Sequence, residues 1–293
     1  MQTLIVVAIA GLAAQFVDGS LGMGYGLTSS TLLIFAGLTP AMASASVHLA
    51  EVGTTALSGI SHHRFGNVDW SVVRRIAIPG GIGAFAGATL LSSISTEAAK
   101  PMASTILFIL GLYVLARFLF VRARVQRAGL PGLKFLAPLG LIGGFIDATG
   151  GGGWGPTTTP TLLADGRLAP NRVIGTVSAS EFIVAISASL GFFTSLGGEG
   201  VRIEFVLALL AGGLIAAPIA AYLVRHLNPR LLGVTVGGFI CFTNARVLLA
   251  AVGASGGVFL GAYVVIIALW VTAIGWTYRT LRSETPTRSR KRR

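Results

Sequence analysis

Apolar residues run along this chain in long blocks, and the polar ones collect in the gaps between them. Blocks at 41–60, 76–93, 101–121, 173–194, 205–224, 231–251 and 258–278 match the roughly 20 residues that an α-helix needs to cross a bilayer. Two further stretches, 1–37 and 135–164, are longer than one span needs at roughly 1.5 Å per residue. The first is interrupted by Asp18-Gly19-Ser20-Leu21-Gly22, the second by the segment from Asp147 to Gly153. Each is expected to form two short apolar helices of about 14 residues around a glycine-rich turn. These are either a re-entrant hairpin or two short tilted helices, and both return the chain to the side it came from.

The two interruptions repeat one another. FVDGSLGMGYG (16–26) and FIDATGGGGWG (145–155) align at an offset of 129, so that Asp18 meets Asp147, Gly22 meets Gly151, Gly24 meets Gly153, Tyr25 meets Trp154 and Gly26 meets Gly155. At an offset of 130, Pro40 meets Pro170 and Glu51 meets Glu181. Gly80-Gly81 then meets Gly212-Gly213, and Ala116-Arg117 meets Ala245-Arg246. A duplicated unit in so apolar a chain marks a secondary transporter built from two repeats. The expected organisation is a first membrane repeat (1–121), a basic cytoplasmic linker (122–134), a second repeat (135–251), an extra C-terminal transmembrane helix (252–279) and a basic cytoplasmic tail (280–293). Three spans follow each broken pair, and an odd number of spans makes the repeats inverted.

Composition agrees with the pattern. Of 293 residues, 53% are apolar and 11% are charged, against roughly 25% charged in a soluble protein, and the mean hydropathy is +0.80. The fold class is an all-α polytopic membrane protein. The net charge of +12 does not point to nucleic acid, because the basic residues occupy the gaps rather than a folded basic domain. With the C-terminus in the cytoplasm, 19 of the 22 Lys and Arg face inward, leaving only Lys100, Arg202 and Arg246 outside. The opposite orientation would invert that bias. The expected orientation therefore has the N-terminus outside and the C-terminus in the cytoplasm, with the tail RSETPTRSRKRR near anionic headgroups. The first block, LIVVAIAGLAA, has no preceding Lys or Arg and runs into the duplicated motif, so it reads as part of the fold rather than a signal peptide. Cys241 is the single cysteine, which excludes a disulfide framework and a cysteine metal site. No cofactor or metal is expected, and the oligomeric state, a homodimer among the options, is open.

Four acids lie in apolar surroundings: Asp18, Glu51, Asp147 and Glu181. At the bilayer centre each would cost at least about 2.5–3.5 kcal/mol if it faced lipid, so they must face protein, water or ligand, or carry a proton. Glu51 and Glu181 each lie 11 residues past a proline, roughly 16 Å into the membrane. They are candidates for proton coupling, with Asp18, Asp147 and His48, which shares a helix face with Glu51. The plain alternative is a protonated acid bonded across helices. The glycine runs precede helix starts, where turned backbone N–H groups and the helix dipole favour an anion. Candidate ligands of a small anion are Gly22, Gly24, Tyr25, Gly26 and Ser29 in the first half, and Gly151, Gly153, Trp154, Gly155 and Thr158 in the second. The alternative is close helix packing through small residues. Arg117 and Arg246 match across the repeats, as snorkelling side chains by default or as guides for an anion. No phosphate-loop lysine, HExxH or Ser/His/Asp motif is present, which disfavours an enzyme. A channel-like anion pore without coupling is the alternative to a transporter.

FVDGSLGMGYGLTSSTLL (16–33), GGGGWGP (150–156) followed by TLL (161–163), SGISHHRFGNVDW (58–70) and PNRVIGTVSASEF (170–182) resemble the TauE/SafE sulfite exporter family over nearly the whole chain. The resemblance implies an inner-membrane permease moving sulfite or a small organosulfonate, mostly outward, with the cargo varying among members.

Overall fold

The structure, a computed structural model, describes residues 2–21, 23–120, 129–197, 203–223 and 228–284, which are helical with no strand among them. The helices are α1 (Gln2–Leu21), α2 (Tyr25–Phe35), α3 (Pro40–Arg64), α4 (Trp70–Ser93), α5 (Thr96–Phe120), α6 (Leu133–Gly150), α7 (Trp154–Asp165), α8 (Pro170–Leu196), α9 (Ile203–Leu223), α10 (Pro229–Ala251) and α11 (Gly256–Glu284). The expected linker lies partly outside the described residues, at 122–128, and so does the expected tail, at 285–293.

Helix starts follow local chemistry. The matched prolines Pro40 and Pro170 each occupy a first helical position, where a missing N–H costs nothing. The Thr39 side chain accepts from Met42 N, Asp69 from Ser71 N and Val72 N, and Asn228 from Arg230 N and Leu231 N. These side chains satisfy donors that a helix N-terminus leaves open.

Among the described residues, six helices are long and apolar enough to cross a membrane: Trp70–Ser93, Thr96–Phe120, Leu133–Gly150, Asn171–Leu196, Arg230–Ala251 and Gly256–Ser283. Two expected spans fall outside that set. α3 has the length, but Ser44, Ser46, His48, Glu51, Thr54 and Thr55 make it too polar, and most of these are buried. α9 contributes the shorter apolar stretch Ile203–Ala216.

Helices from the two halves interleave. α1 lies along α9 and α6 along α4, pairs that correspond under the sequence offsets, while α3 packs on α8 and α5 on α10. The contacts are backbone on backbone. A Cβ placed on Gly11 would lie 2.4 Å from Leu209 O, and one on Gly140 would lie 2.3 Å from Ile76 O. Gly83 and Gly87 meet Leu141 O and Phe145 O in the same way. Such close approach replaces the hydrophobic drive that lipid does not provide. The arrangement has one marked asymmetry: α4 packs along α8, whereas the corresponding α9 and α3 meet over a short stretch. α11 packs on α10 alone among the extensive contacts, and its apolar stretch is not buried by the protein.

Candidate functional site

The two helix breaks pack against each other. Gly152 sits directly on the first turn of α2: a Cβ there would lie 2.0 Å from Gly26 C and Leu27 N. Gly155 returns the contact, its Cβ position 3.1 Å from Met23 Cβ. Ser30 Oγ donates to Gly151 O across the same junction. Gly24, Gly151 and Gly152 have φ of 112°, 77° and 147°, conformations that residues with a Cβ seldom adopt. Gly22 lies outside the described residues.

The breaks fall later than expected from the sequence. α1 runs through Asp18 to Leu21 and α6 runs through Asp147 to Gly150, so the first helix of each pair is longer than its partner, 20 against 11 residues and 18 against 12. The reason is visible at Asp147. Its carboxylate, in the last turn of α6, reaches across the glycines to the start of α7: Oδ1 accepts from Gly153 N at 2.6 Å and Trp154 N at 2.9 Å. An anionic cap placed a turn upstream satisfies donors that the helix N-terminus leaves open. Asp18 stands in the same relation to Tyr25, seven residues on, whose backbone is its hydrogen-bond partner.

The other Asp147 oxygen meets the opposite half of the chain. His48 Nε2 on α3 lies 3.1 Å from Asp147 Oδ2, and both side chains are sealed from solvent. His48 Nδ1 lies 2.8 Å from Ser44 O, and Ser44 Oγ donates to Ala148 O at 2.8 Å. A carbonyl can only accept, so Nδ1 carries a hydrogen. One hydrogen between Nε2 and Oδ2 then joins the ring to the carboxyl group. Glu51 stands beside this pair, and one donor atom each of His48, Glu51 and Asp147 lie within 4.8 Å of one another. That set could hold a cation, although His48 and Asp147 already satisfy each other. Glu51 Oε2 is buried without a partner, and Glu51 Oε1 is 2.7 Å from where a Cβ on Gly26 would stand.

Asp18, Glu51 and Glu181 line a single cavity of about 50 Å³ with Gln15, Tyr25, Thr54, Thr55, Ser58 and Ser178. None of the lining residues is basic, and Arg117 and Arg246 are not among them. Glu51 and Glu181 each lie within electrostatic reach of Asp18 and Asp147. The sequence reading missed Gln15, Thr54, Thr55, Ser58 and Ser178. Helical spacing was the signal: Gln15 precedes Asp18 by three, Thr54, Thr55 and Ser58 follow Glu51 by three, four and seven, and Ser178 precedes Glu181 by three, the spacings that share a face. Ser178 is also the repeat counterpart of His48. The two half-sites therefore differ, one holding a sealed His–Asp pair and the other a serine beside an open acid.

Several residues expected to hold an anion are engaged otherwise. Ser29 Oγ donates to Tyr25 O at 2.6 Å and Thr158 Oγ1 to Trp154 O at 2.5 Å, so both hydroxyl hydrogens are spent within their own helices. Trp154 is wholly buried, its ring against the Gly80 backbone and its Nε1 donating to Val177 O at 3.2 Å. Tyr25, its counterpart, does reach the cavity, and its hydroxyl has no partner. The N–H of Gly153 is taken by Asp147, and Gly24 closes the first turn of α2 by accepting from Thr28 N at 3.0 Å.

The family described as Sulfite exporter TauE/SafE matches residues 7–247, a stretch that takes in both breaks and Asp18, Glu51, Asp147 and Glu181. The chain belongs to the TauE/SafE sulfite exporter family. A relative in Bacillus subtilis (strain 168), described as "Probable membrane transporter protein YtnM", is 54% identical over 276 residues, covering 94% of this chain and 92% of the relative. No solved structure matches. With its apolar helices, this TauE/SafE member is a multi-pass membrane protein of a transporter family.

Proposed function

We propose that the protein is a secondary transporter that exports a small sulfur oxyanion, sulfite or an organosulfonate, across the cell inner membrane together with protons. Its two repeats would lie inverted in the bilayer with the C-terminus cytoplasmic, as the distribution of Lys and Arg favours. The cargo passes the meeting point of the two glycine breaks.

One observation carries the coupling: the cavity at that meeting point is lined by three carboxyl groups and no base. An anion brought beside ionised carboxylates in a poorly screened interior is repelled by several kcal/mol at an effective dielectric constant of about 20. Protonating the acids removes that repulsion, so anion and proton occupy the site together. A channel-like pore would instead favour fixed positive charge or hydrogen-bond donors along its wall.

The test is flux in proteoliposomes of sulfite, methanesulfonate and sulfate, each with and without a pH gradient. Sulfite or sulfonate uptake driven by the gradient is the expected result. Flux indifferent to the gradient would establish the uncoupled pore, and no flux of any of these anions would overturn the oxyanion reading.

A further inference from the structure

We infer that the acid-lined cavity binds a small hard metal cation, sodium or calcium, which joins carboxylates from both halves of the chain. The inference goes beyond the oxyanion reading and does not depend on it, because it concerns what answers the charge of the cavity wall, not what the protein carries. Asp18 comes from α1, Glu51 from α3 and Glu181 from α8, and all three border one space whose lining residues include no base. Carboxylates gathered in a poorly screened interior repel one another, and a cation among them turns that repulsion into attraction. Asp18 and Tyr25 also stand on either side of the break between α1 and α2, and discontinuous helices are where membrane transporters coordinate ions.

The uncharged part of the wall fixes the sign of the ligand. Tyr25 is 5% exposed, lines the cavity, and its hydroxyl has no hydrogen-bond partner. Glu51 Oε2 is also buried without one. The neighbouring hydroxyls have oxygen to offer but have spent their hydrogens: Thr55 Oγ1 donates to Glu51 O at 2.5 Å, and Ser178 Oγ donates to Ser58 Oγ at 2.7 Å. What remains on Thr55 and Ser178 is lone pairs. An anion needs donors, whereas sodium and calcium are hard ions that take oxygen ligands of this kind. Softer metals prefer nitrogen or sulfur, and the one nearby nitrogen ligand, His48 Nε2, is already bonded to Asp147 Oδ2. Size narrows the choice further. About 50 Å³ is room for roughly three to five water-sized spheres of about 10–15 Å³ each, enough for one metal ion and a few waters and too little for an organic cation. Magnesium is disfavoured because it gives up its water shell reluctantly.

Equilibrium dialysis of the purified full-length protein against radioactive sodium or calcium, in a choline chloride buffer at one fixed pH, measures the site directly. One of the two ions should bind saturably, at one equivalent, and raise the midpoint of thermal unfolding as it is added; the ion that does so tells the singly charged from the doubly charged ligand. Glu51→Gln and Glu181→Gln each remove one ligand charge and should weaken binding by about tenfold or more. Tyr25→Phe removes a neutral oxygen and should weaken it less. Glu97→Gln removes an exposed acid at the start of α5 and should leave binding unchanged. Saturable binding of neither ion overturns the inference, and so does binding that keeps its wild-type strength in both glutamine variants. If Glu51→Gln does not fold, Glu181→Gln, on a partly exposed side chain, decides alone. A protein that carries sulfite yet binds neither ion overturns this inference and leaves the oxyanion reading standing; one that binds an ion yet carries none of the anions does the reverse.

Discussion

Replacing Gly152 with alanine tests whether the junction of the two breaks is a backbone contact that tolerates no side chain. Two costs add. Gly152 has φ of 147°, a region essentially reserved for glycine, which costs an alanine roughly 1–3 kcal/mol. Its Cβ would also stand 2.0 Å from Gly26 C and Leu27 N, closer than any non-bonded contact allows, and the α2 backbone cannot rotate away as a side chain would. Forced overpacking of this kind costs about 1–3 kcal/mol more. The sum is about 2–6 kcal/mol, a large share of the roughly 5–15 kcal/mol that holds a domain folded. Two controls separate the terms. Gly37 has φ of 98° with nothing within 4 Å, and Gly261 lies within α11, also in open space. Gly37→Ala should show the conformational cost alone, and Gly261→Ala none, since alanine is the better helix former. Thermal unfolding in detergent, read together with transport in proteoliposomes, should rank the variants Gly261→Ala, Gly37→Ala, Gly152→Ala in order of increasing damage. A Gly152→Ala protein as stable as Gly37→Ala would refute the claim that the breaks meet backbone to backbone.

Glu51→Gln and Glu181→Gln keep shape and hydrogen bonding but remove titration, and at least one should retain substrate exchange while losing dependence on the pH gradient; an unchanged pH response in both would make these acids structural. Trp154→Ala should cost about 3–5 kcal/mol by emptying a packed site, whereas Trp154→Phe, which gives up the bond to Val177 O, should cost about 1 kcal/mol plus a smaller cavity term; unfolding midpoints of the two variants compare these values. Cysteines placed at Ser95 and His62 flank the 24 residues of α4, about 36 Å of helix, and should label from opposite sides of the membrane in intact cells and inverted vesicles.

Much of this architecture was legible because hydropathy and glycine report on backbone chemistry directly. The breaks announced themselves through glycines that lipid-exposed helices do not need, and the matched prolines gave the starts of α3 and α8. Polar residues near the acids were harder to read. Thr54, Thr55 and Ser58 are unremarkable one at a time, and only the pairing of α3 with α8, with Gln15 and Asp18 of α1 on the same cavity, turns them into a wall. Ser29 and Thr158 read as anion ligands because a sequence does not show where a hydroxyl hydrogen goes. A serine or threonine within a helix has a carbonyl one turn back always in reach, and here that partner takes it. The cap formed by Asp147 was hidden for a related reason. An anion on the same chain satisfies a helix start as well as a ligand does, and spacing alone does not distinguish the two.

Where α1 lies on α9 and α6 on α4, peptide rests on peptide, with glycines pressed against carbonyl oxygens. Side chains absorb shear by changing rotamer, but a main-chain seam has no such compliance. Each couple is therefore a rigid lever made of one helix from each half of the chain, and any widening of the central cavity has to swing whole levers rather than slide one helix along its neighbour. A change in the cavity would then fall on the short turns that join the helices of each broken pair, not on the seams between the couples.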